Sequence, residues 1–393
     1  MQRYYTANYI FTIDAAPIKD GYLLMDGNTV VAVSSKPIET NIALQKLEGF
    51  IVPGFVNAHC HLELSYLKNQ ITPGTGLVNF VKNILAIRAN YGLTLIKDCI
   101  ESAYEEMYEN GIVAVADISN DDFTFNAKAD TRIYFHTLIE AFDIVPAQTK
   151  TIFDKCLELT KTLQQLAPNN QAHSIVPHAA YTVTPALFKL IKGHATKHQQ
   201  LQSMHNQECV AESQMFENKR GAFYDFFTQH GSMAHFESTG KNSLLSVLPN
   251  LSNEKTLLVH NTFTDGNDIA KAMALHKKLF WCFCPNANLY IENRLPDFDV
   301  FINAGTTCCL GTDSYASNYT LNLLDEIKTI LKFKPHYPFE MLLKWATLNG
   351  AQFLGLDYLG SITAGKKPGI NLITNCDAST LNITTQSKVK RLH

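Results

Sequence analysis

Histidine and carboxylate residues end four separate apolar runs of this sequence. His59 and His61 close the first run, and because side chains on a strand alternate between faces, both imidazoles point the same way. His205, His260 and Asp313 close three later runs. Burying several imidazoles and a carboxylate without a partner is costly. A bound cation that compensates these groups is the simplest explanation, so the pattern predicts a metal site.

The ligand types indicate which metal to expect. Imidazole nitrogens and a carboxylate, with open coordination positions, suit Zn²⁺, and Fe²⁺ accepts the same set. Cys282 and Cys284 lie on one predicted strand, but we interpret their thiols as small buried apolar groups rather than ligands. We therefore expect a divalent ion, with zinc ahead of iron.

Glu208 follows His205 by three residues, just beyond the predicted strand end. A carboxylate beside an activated water can take its proton and pass it to a leaving nitrogen. The alternative is a solvated loop glutamate whose charge favours the N-terminus of the next helix. Its position next to His205 favours the catalytic role, and His260 is the natural residue to orient the water.

Eight apolar runs alternate with helical patterns along the middle of the chain. One helix is predicted over 94–110, with Thr94 as N-cap and Gly111 after its end, and Thr184 and Pro185 open another. Eight buried strands, each followed by a helix, predict a closed parallel (β/α)8 barrel, an α/β fold whose active site forms at the carboxyl ends of the strands. No glycine-rich phosphate turn follows the first strand, which disfavours an open doubly wound sheet. The runs are 51–61, 112–118, 133–141, 172–181, 201–208, 256–263, 279–284 and 307–313, and further helical patterns cover 268–278 and 321–333.

Both ends of the sequence have strand patterns without a helical period. Short strands are predicted over 9–13, 21–25 and 29–33, with a turn at 26–28, and a further strand over 369–374. These segments predict a small β lobe beside the barrel.

The composition limits the class of protein. Apolar residues make up 46% of the 393 residues and charged residues 18%, which argues for a large core and against disorder. A net charge of −3 gives no basic patch of the size that nucleic-acid binding needs. No apolar run approaches the roughly 18 residues of a membrane span, and residues 1–8 lack a signal-peptide pattern. Nine scattered cysteines are typical of free thiols in a reducing compartment, so we expect a cytoplasmic protein without nucleic-acid or membrane partners.

Several segments resemble the amidohydrolase superfamily, and specifically its deaminase branch, over nearly the whole chain. VPGFVNAHCH (52–61) is similar to the family's opening signature, PGFVNAHTH. MHNQE (204–208) resembles its His-x-x-Glu segment, and LGTD (310–313) its closing Gly-Thr-Asp. Further similar segments are VPHAAY (176–181), CPNAN (284–288) and ATLNGA (346–351). Singly only the first is specific, but together the motifs identify the family.

The resemblance implies a fold and a ligand set. The implied fold is a distorted (β/α)8 barrel of residues 54–360 with a small β-sandwich lobe built from residues 1–53 and 361–393. The implied ligands of one metal ion are His59, His61, His205 and Asp313. Relatives with two metals bridge them with a lysine on the fourth strand, and the absence of lysine from 172–183 favours a single ion.

The resemblance also implies catalytic roles. Glu208 is the implied proton shuttle, His260 contacts the reacting water, and Asp313 takes a proton from that water. His178 lies near the substrate in such deaminases, so we expect it to contact the substrate; the alternative is a hydrogen-bonded histidine at a strand end. The implied reaction is hydrolytic deamination of a heterocycle, in which Glu208 protonates a ring nitrogen and ammonia leaves.

Three features bear on the substrate, which we expect to be a small flat heteroaromatic amine. Arg294 follows the seventh predicted strand and is a candidate partner for an acidic group, the alternative being a solvated surface arginine. Deaminases of adenosine-type nucleosides commonly have an acid in the segment after strand one, where this chain has Asn79, which argues against a nucleoside. The run NAHCHLELS (57–65) most resembles enzymes that deaminate aminofutalosine.

Other functions are compatible with parts of this sequence. The same ligands serve cyclic-amide hydrolases and enzymes that dechlorinate rings. A catalytically inactive metal-binding paralogue that acts as an assembly partner is disfavoured by the presence of Glu208 and Asp313. A flavin or nicotinamide enzyme would need a glycine cluster near the last two strands, where only Gly305 and Gly311 occur. Barrels of this family often pair through outer helices, and the sequence leaves a homo-oligomer open.

Overall fold

Strands and helices alternate through most of this chain. The computed structural model describes residues 1–392 apart from residues 171, 232, 234 and 235. The strands are β1 Gln2–Ile10, β2 Ile18–Lys19, β3 Tyr22–Asp26, β4 Thr29–Ser34, β5 Leu44–Pro53, β6 Phe55–Cys60, β7 Ile112–Ser119, β8 Tyr134–Ala141, β9 His173–Pro177, β10 Gln202–Asn206, β11 Thr256–His260, β12 Leu279–Phe283, β13 Cys308–Leu310, β14 Ile370–Thr374 and β15 Lys388–Arg391. The α-helices are α1 Leu77–Ile87, α2 Leu93–Glu109, α3 Phe125–Lys128, α4 Thr149–Leu166, α5 Pro185–His198, α6 Val210–Asn218, α7 Ala222–Gln229, α8 Ser243–Val247, α9 Gly266–Leu275, α10 Pro285–Glu292, α11 Phe298–Asn303, α12 Leu323–Phe333, α13 Phe339–Trp345 and α14 Leu348–Leu354.

Eight parallel strands form two four-stranded sheets, ordered β6-β7-β8-β9 and β10-β11-β12-β13. Each of the eight predicted apolar runs overlaps one of these strands, and only β7 extends beyond its run, by one residue. The first run divides at Gly54, because residues 51–53 end β5 and β6 begins at Phe55. The fold is therefore α/β, with its parallel strands where the sequence places them.

The two sheets meet at the carboxyl ends of their edge strands. Isolated parallel bridges join Cys60 to Asp313 and Ala179 to His205. The N–H groups of residues 312 and 313 both donate to the His59 carbonyl, at 3.0 and 3.1 Å. A Cβ atom on Gly311 would lie 2.8 Å from the Cβ and the carbonyl oxygen of His59, so only glycine allows this approach. The contacts bring four strand ends together, those of β6, β9, β10 and β13.

Apolar side chains cover both faces of the parallel sheets. One buried cluster draws on both sheets and includes Val56, Ala116, Leu138, Val176, Leu257, Val259, Cys282 and Cys309. A second, larger cluster packs the helices against the opposite faces, with residues such as Phe135, Met204 and Trp281. Burial on both faces is the usual environment of parallel strands and explains their continuous apolar sequences. Polar residues at the strand ends are therefore the exceptions.

The two ends of the chain form one mixed sheet of seven strands, ordered β15-β14-β5-β1-β3-β4, with β2 paired to β1. β1 runs parallel to β5, and β14 runs antiparallel to it, with Ile370 opposite Pro53. The predicted strands at 21–25, 29–33 and 369–374 correspond to β3, β4 and β14. The strand predicted over 9–13 was misplaced, because β1 covers residues 2–10. A two-layered sandwich stays a prediction.

Helix termini follow local signals in one case and not in another. Thr184 caps α5 as predicted, since its hydroxyl accepts from the Leu187 N–H at 3.2 Å. The prediction of Thr94 as an N-cap was wrong: α2 begins at Leu93 with Gly92 as its N-cap, so Thr94 lies inside the helix. Gly111 does follow the helix, with φ of 76°. Within the described residues, no helix is both long and apolar enough to cross a membrane.

Candidate metal and catalytic site

Three imidazoles converge where the two sheets meet. His59 lies on β6, His61 directly after it and His205 on β10. The Nε2 atom of His61 is 3.1 Å from that of His59 and 3.2 Å from that of His205. All three side chains are buried. Three nitrogen lone-pair sites are thus directed at one small volume.

Asp313 brings a carboxylate to the same volume. Its Oδ1 atom is 3.7 Å from Nε2 of His59 and 3.6 Å from Nε2 of His61. The other carboxylate oxygen accepts a hydrogen bond from the hydroxyl of Ser317. Asp313 has a φ of 56°, a left-handed conformation in which the chain turns directly after β13. The turn and the serine together direct one oxygen toward the histidines.

The geometry of these four residues and the protonation of the three histidines fit a metal ion. Four ligands at about 2.1 Å around a tetrahedral ion lie about 3.4 Å apart, and the separations here are 3.1, 3.2, 3.6 and 3.7 Å. Burial lowers the pKa of all three histidines, so the imidazoles are neutral. Nδ1 of His205 donates to the His178 carbonyl at 2.9 Å, which leaves Nε2 as an acceptor. The donor set suits a divalent ion.

Glu208 and His260 lie beside this cluster. Nε2 of His260 is 3.7 Å from Oε1 of Glu208, and the His260 ring stacks 5.5 Å from that of His205. Burial, and after it the charge of Asp313, raises the pKa of Glu208 well above its usual range. Burial likewise lowers the pKa of His260 well below its usual range. The pair therefore offers a carboxyl group able to hold a proton beside a neutral imidazole.

The structure treats the two predicted substrate contacts differently. His178 follows β9 and its ring lies 4.8 Å from that of His205, while Nδ1 pairs with the Thr182 hydroxyl at 2.6 Å. Burial lowers the pKa of His178 to about 4. Arg294 is exposed and its guanidinium lies 4.5 Å from the ring centroid of Phe263. His178 is thus a half-buried neighbour of the histidine cluster, and Arg294 lies outside it.

Two buried acids near the histidines were not singled out from the sequence. Glu140 on β8 has Oε1 3.6 Å from Nδ1 of His205, and its Oε2 accepts from the Asn120 amide at 3.0 Å. Asp117 on β7 accepts a hydrogen bond at 2.8 Å from the N–H of Leu62, the residue that follows His61. Both acids stand inside apolar strand runs, and that is the signal that could have found them.

Comparison with known proteins places the chain in a family. Residues 50–391 match the model of the Amidohydrolase family. The chain is 26% identical over 332 residues to an adenosine deaminase of Helicobacter pylori, in a match that covers 82% of this chain and 78% of the relative.

Two solved structures share the fold. Helicobacter pylori aminofutalosine deaminase in complex with methylthio-coformycin gives a TM-score of 0.77 at 22% identity, over 95% of this chain and 92% of that one. An adenosine deaminase from Xanthomonas campestris with bound zinc gives a TM-score of 0.72 at 20% identity, over 96% and 85%. This chain belongs to the amidohydrolase family and to its deaminase branch.

Proposed function

We propose that this protein is a metal-dependent aminohydrolase that removes an exocyclic amine from a heterocycle and releases ammonia. The observation that carries the proposal is the convergence of three imidazole Nε2 atoms and the Asp313 carboxylate, with Glu208 and His260 alongside. The deaminase relative from Helicobacter pylori supports the same reaction.

The proposed architecture is a closed eight-stranded barrel of residues 54–360, with a β-sandwich lobe from residues 1–53 and 361–393. The two bridges that join the sheets, Cys60 to Asp313 and Ala179 to His205, support closure. In such a barrel the strands' carboxyl ends form one rim, which is the usual place of the active site. The histidines lie at these ends.

We assign His59, His61, His205 and Asp313 as ligands of one divalent ion, zinc with iron as the alternative. When bound, such an ion makes water acidic enough to be a nucleophile near neutral pH. The zinc in the Xanthomonas campestris structure supports zinc. The hydrogen bond from His205 Nδ1 to the His178 carbonyl fixes the tautomer that this assignment requires.

Glu208 carries the proton in the proposed reaction. Burial raises the pKa of Glu208, which favours a protonated carboxyl group, and this proton goes to a ring nitrogen of the substrate. His260 stays neutral and lies 3.7 Å from the Glu208 carboxyl, where it can orient the attacking water. Asp313 takes a proton from that water and passes it to the departing amine, which leaves as ammonia. Glu208 regains its proton from the newly added hydroxyl group as the carbonyl of the product forms.

The proposed substrate is a flat heteroaromatic amine that contacts His178. The names of the relatives in Helicobacter pylori and Xanthomonas campestris point to an adenine ring as the reacting part. The sequence argument against a nucleoside rested on Asn79, which is exposed on α1 and donates to the Thr75 carbonyl at 2.9 Å. Because the Asn79 amide is used within its own segment, this position gives no ground for excluding nucleosides, and we include them. Arg294, stacked on Phe263, would bind an anionic group of the substrate.

The test is ammonia release by metal-loaded protein from a panel of adenine nucleosides, aminopteridines and cytosine. We expect Glu208→Gln to lower kcat by about 10²- to 10⁴-fold with its metal content intact, and Asp313→Ala to lose the metal. Glu217→Gln is the matched control, because Glu217 is exposed on α6. Undiminished turnover by Glu208→Gln would remove the shuttle, and a panel without any ammonia release would refute the deaminase.

A further inference from the structure

A buried carboxylate grips the backbone that carries Glu208. Glu212 on α6 is fully buried, and its two oxygens accept three consecutive main-chain hydrogen bonds. Oε1 accepts from the N–H of Glu208 at 2.7 Å and from that of Cys209 at 3.4 Å. Oε2 accepts from the N–H of Gln207 at 3.1 Å. One side chain therefore accepts a hydrogen bond from the main-chain N–H of each residue between β10 and α6.

The gripped segment is a strained turn. Gln207 has φ of 43°, a left-handed conformation that costs a non-glycine residue roughly 1–2 kcal/mol. The turn is held from other sides as well: the Gln207 side chain donates to Asp268 at 2.9 Å, and the Gln207 carbonyl accepts from the Phe263 N–H at 3.0 Å. Strain of this kind persists only where the surroundings over-determine it. The direction in which Glu208 leaves the backbone depends on this turn.

Capping a helix does not by itself call for such a residue. The helix α9 follows β11 as α6 follows β10, and its cap is the exposed Asp265, which accepts a single hydrogen bond from the Asp268 N–H at 2.8 Å. At α6 the N-cap is Cys209, and Glu212 at the third helical position completes a capping box with it. Such a box needs only the hydrogen bond from the Cys209 N–H, but Glu212 also accepts from the two preceding amides, although burial raises its pKa to about 7. The additional hydrogen bonds hold the turn that carries Glu208 rather than the helix.

We propose that Glu212 is a positioning residue of the reaction, which fixes the backbone of Glu208 so that its carboxyl group stays beside His260. Oε1 of Glu208 lies 3.7 Å from Nε2 of His260. The inference rests on the proposed role of Glu208 as proton carrier. Glutamine at position 212 keeps the shape, but its NH₂ group would face a backbone N–H, so one or more of the three hydrogen bonds is lost.

The test is a double-mutant cycle with Glu208→Gln and Glu212→Gln in the metal-loaded protein. In the natural background we expect Glu212→Gln to lower kcat by about 10- to 100-fold, because small displacements of a catalytic group have effects of this size. KM should change by less than about threefold and metal content should be unchanged. In the Glu208→Gln background, Glu212→Gln should lower kcat by less than about threefold. Proton transfer by residue 208 is already lost in that background, so its positioning no longer matters.

Control variants separate positioning from general damage. Asp265→Ala removes the cap of α9 and should leave kcat unchanged. Equal losses from Glu212→Gln in both backgrounds, or full activity of Glu212→Gln alone, would overturn the proposal. Should glutamine prevent folding, Glu212→Asp keeps the charge with a shorter reach and must show the same kcat loss.

Amide hydrogen exchange gives a readout that does not depend on turnover. In Glu212→Gln the amides of residues 207–209 should exchange at least about tenfold faster, while those of β10 are unchanged. If the natural protein releases no ammonia but Glu212→Gln still speeds this exchange, the proposed function is refuted. The stabilisation of the turn by hydrogen bonds to Glu212 is then still supported. Unchanged exchange at residues 207–209 would show that the hydrogen bonds to Glu212 do not stabilise the turn.

Discussion

Replacing Gly311 with alanine should damage the metal site through the backbone. The added Cβ would lie 2.8 Å from the Cβ and carbonyl oxygen of His59 and 2.9 Å from its nitrogen. An ordinary contact needs about 3.4 Å, so the two segments must separate by roughly 0.6 Å. Overpacking of this kind costs about 1–3 kcal/mol. Since His59 and Asp313 lie on opposite sides of the contact, the same shift moves two proposed ligands apart.

Two assays measure the two effects. For 393 residues the entropy of unfolding makes 1 kcal/mol equivalent to about 1.2 °C, so Tm should fall by about 1–4 °C. Metal affinity should fall about 10- to 100-fold, the range seen when the support of a ligand is disturbed. Calorimetry of the metal-free protein and titration with Zn²⁺ give the two values separately.

Gly193→Ala is the matched control. Gly193 is exposed inside α5, and a Cβ added there meets nothing within 4 Å. The same substitution should therefore raise stability by about 0.5–1 kcal/mol, because alanine favours a helix over glycine. If Gly311→Ala matched Gly193→Ala in Tm and kept its zinc affinity, the contact between residues 311 and 59 would not constrain the site.

Two further predictions concern buried charges. Burial raises the pKa of Glu326 to about 8; with the folded pKa above the unfolded one, its contribution to stability falls as pH rises through the window between about 4.5 and 8. Glu326→Gln should therefore gain stability relative to the natural protein from pH 5 to pH 8 in urea unfolding, by at most about 1.4 kcal/mol per pH unit, and a difference independent of pH would contradict this. Lys128→Met should cost about 3–5 kcal/mol, because Lys128 Nζ lies 2.7 Å from the fully buried Asp117; adding Asp117→Asn should recover part of the loss, and a cost below about 1 kcal/mol would show that the charge is satisfied otherwise.

The parallel strands could be predicted because each is buried on both faces. Burial on both faces requires an unbroken apolar run, and such a run is visible without knowing its partner. The same reasoning found His205 and Asp313, since a polar residue at the end of such a run must lie at the rim. Position at a strand end therefore carried most of the information about the site.

The missed elements depend on distant partners. β15 has the sequence KVKR and β5 begins with LQKLE, and neither is apolar enough to predict a strand alone. β15 becomes a strand because β14 pairs with it, and the first residues of β5 do so because β1 pairs with them. Glu140 was missed for a related reason, because its neighbour His205 lies 65 positions away (205 minus 140). Such contacts follow from the packing of strands that are distant in sequence and not from local spacing.

The mixed sheet joins residues that are synthesised first with residues that are synthesised last. β5 has β14 on one side and β1 on the other, with Ile370 opposite Pro53. Until residues 370–374 have left the ribosome, β5 is an edge strand whose N–H and C=O groups await a partner. Open edges of this kind pair readily with other chains. The nascent chain therefore carries an unpaired strand edge at residues 50–53 through most of translation, and the exposed charged residues Lys46 and Glu48 lie just before this edge.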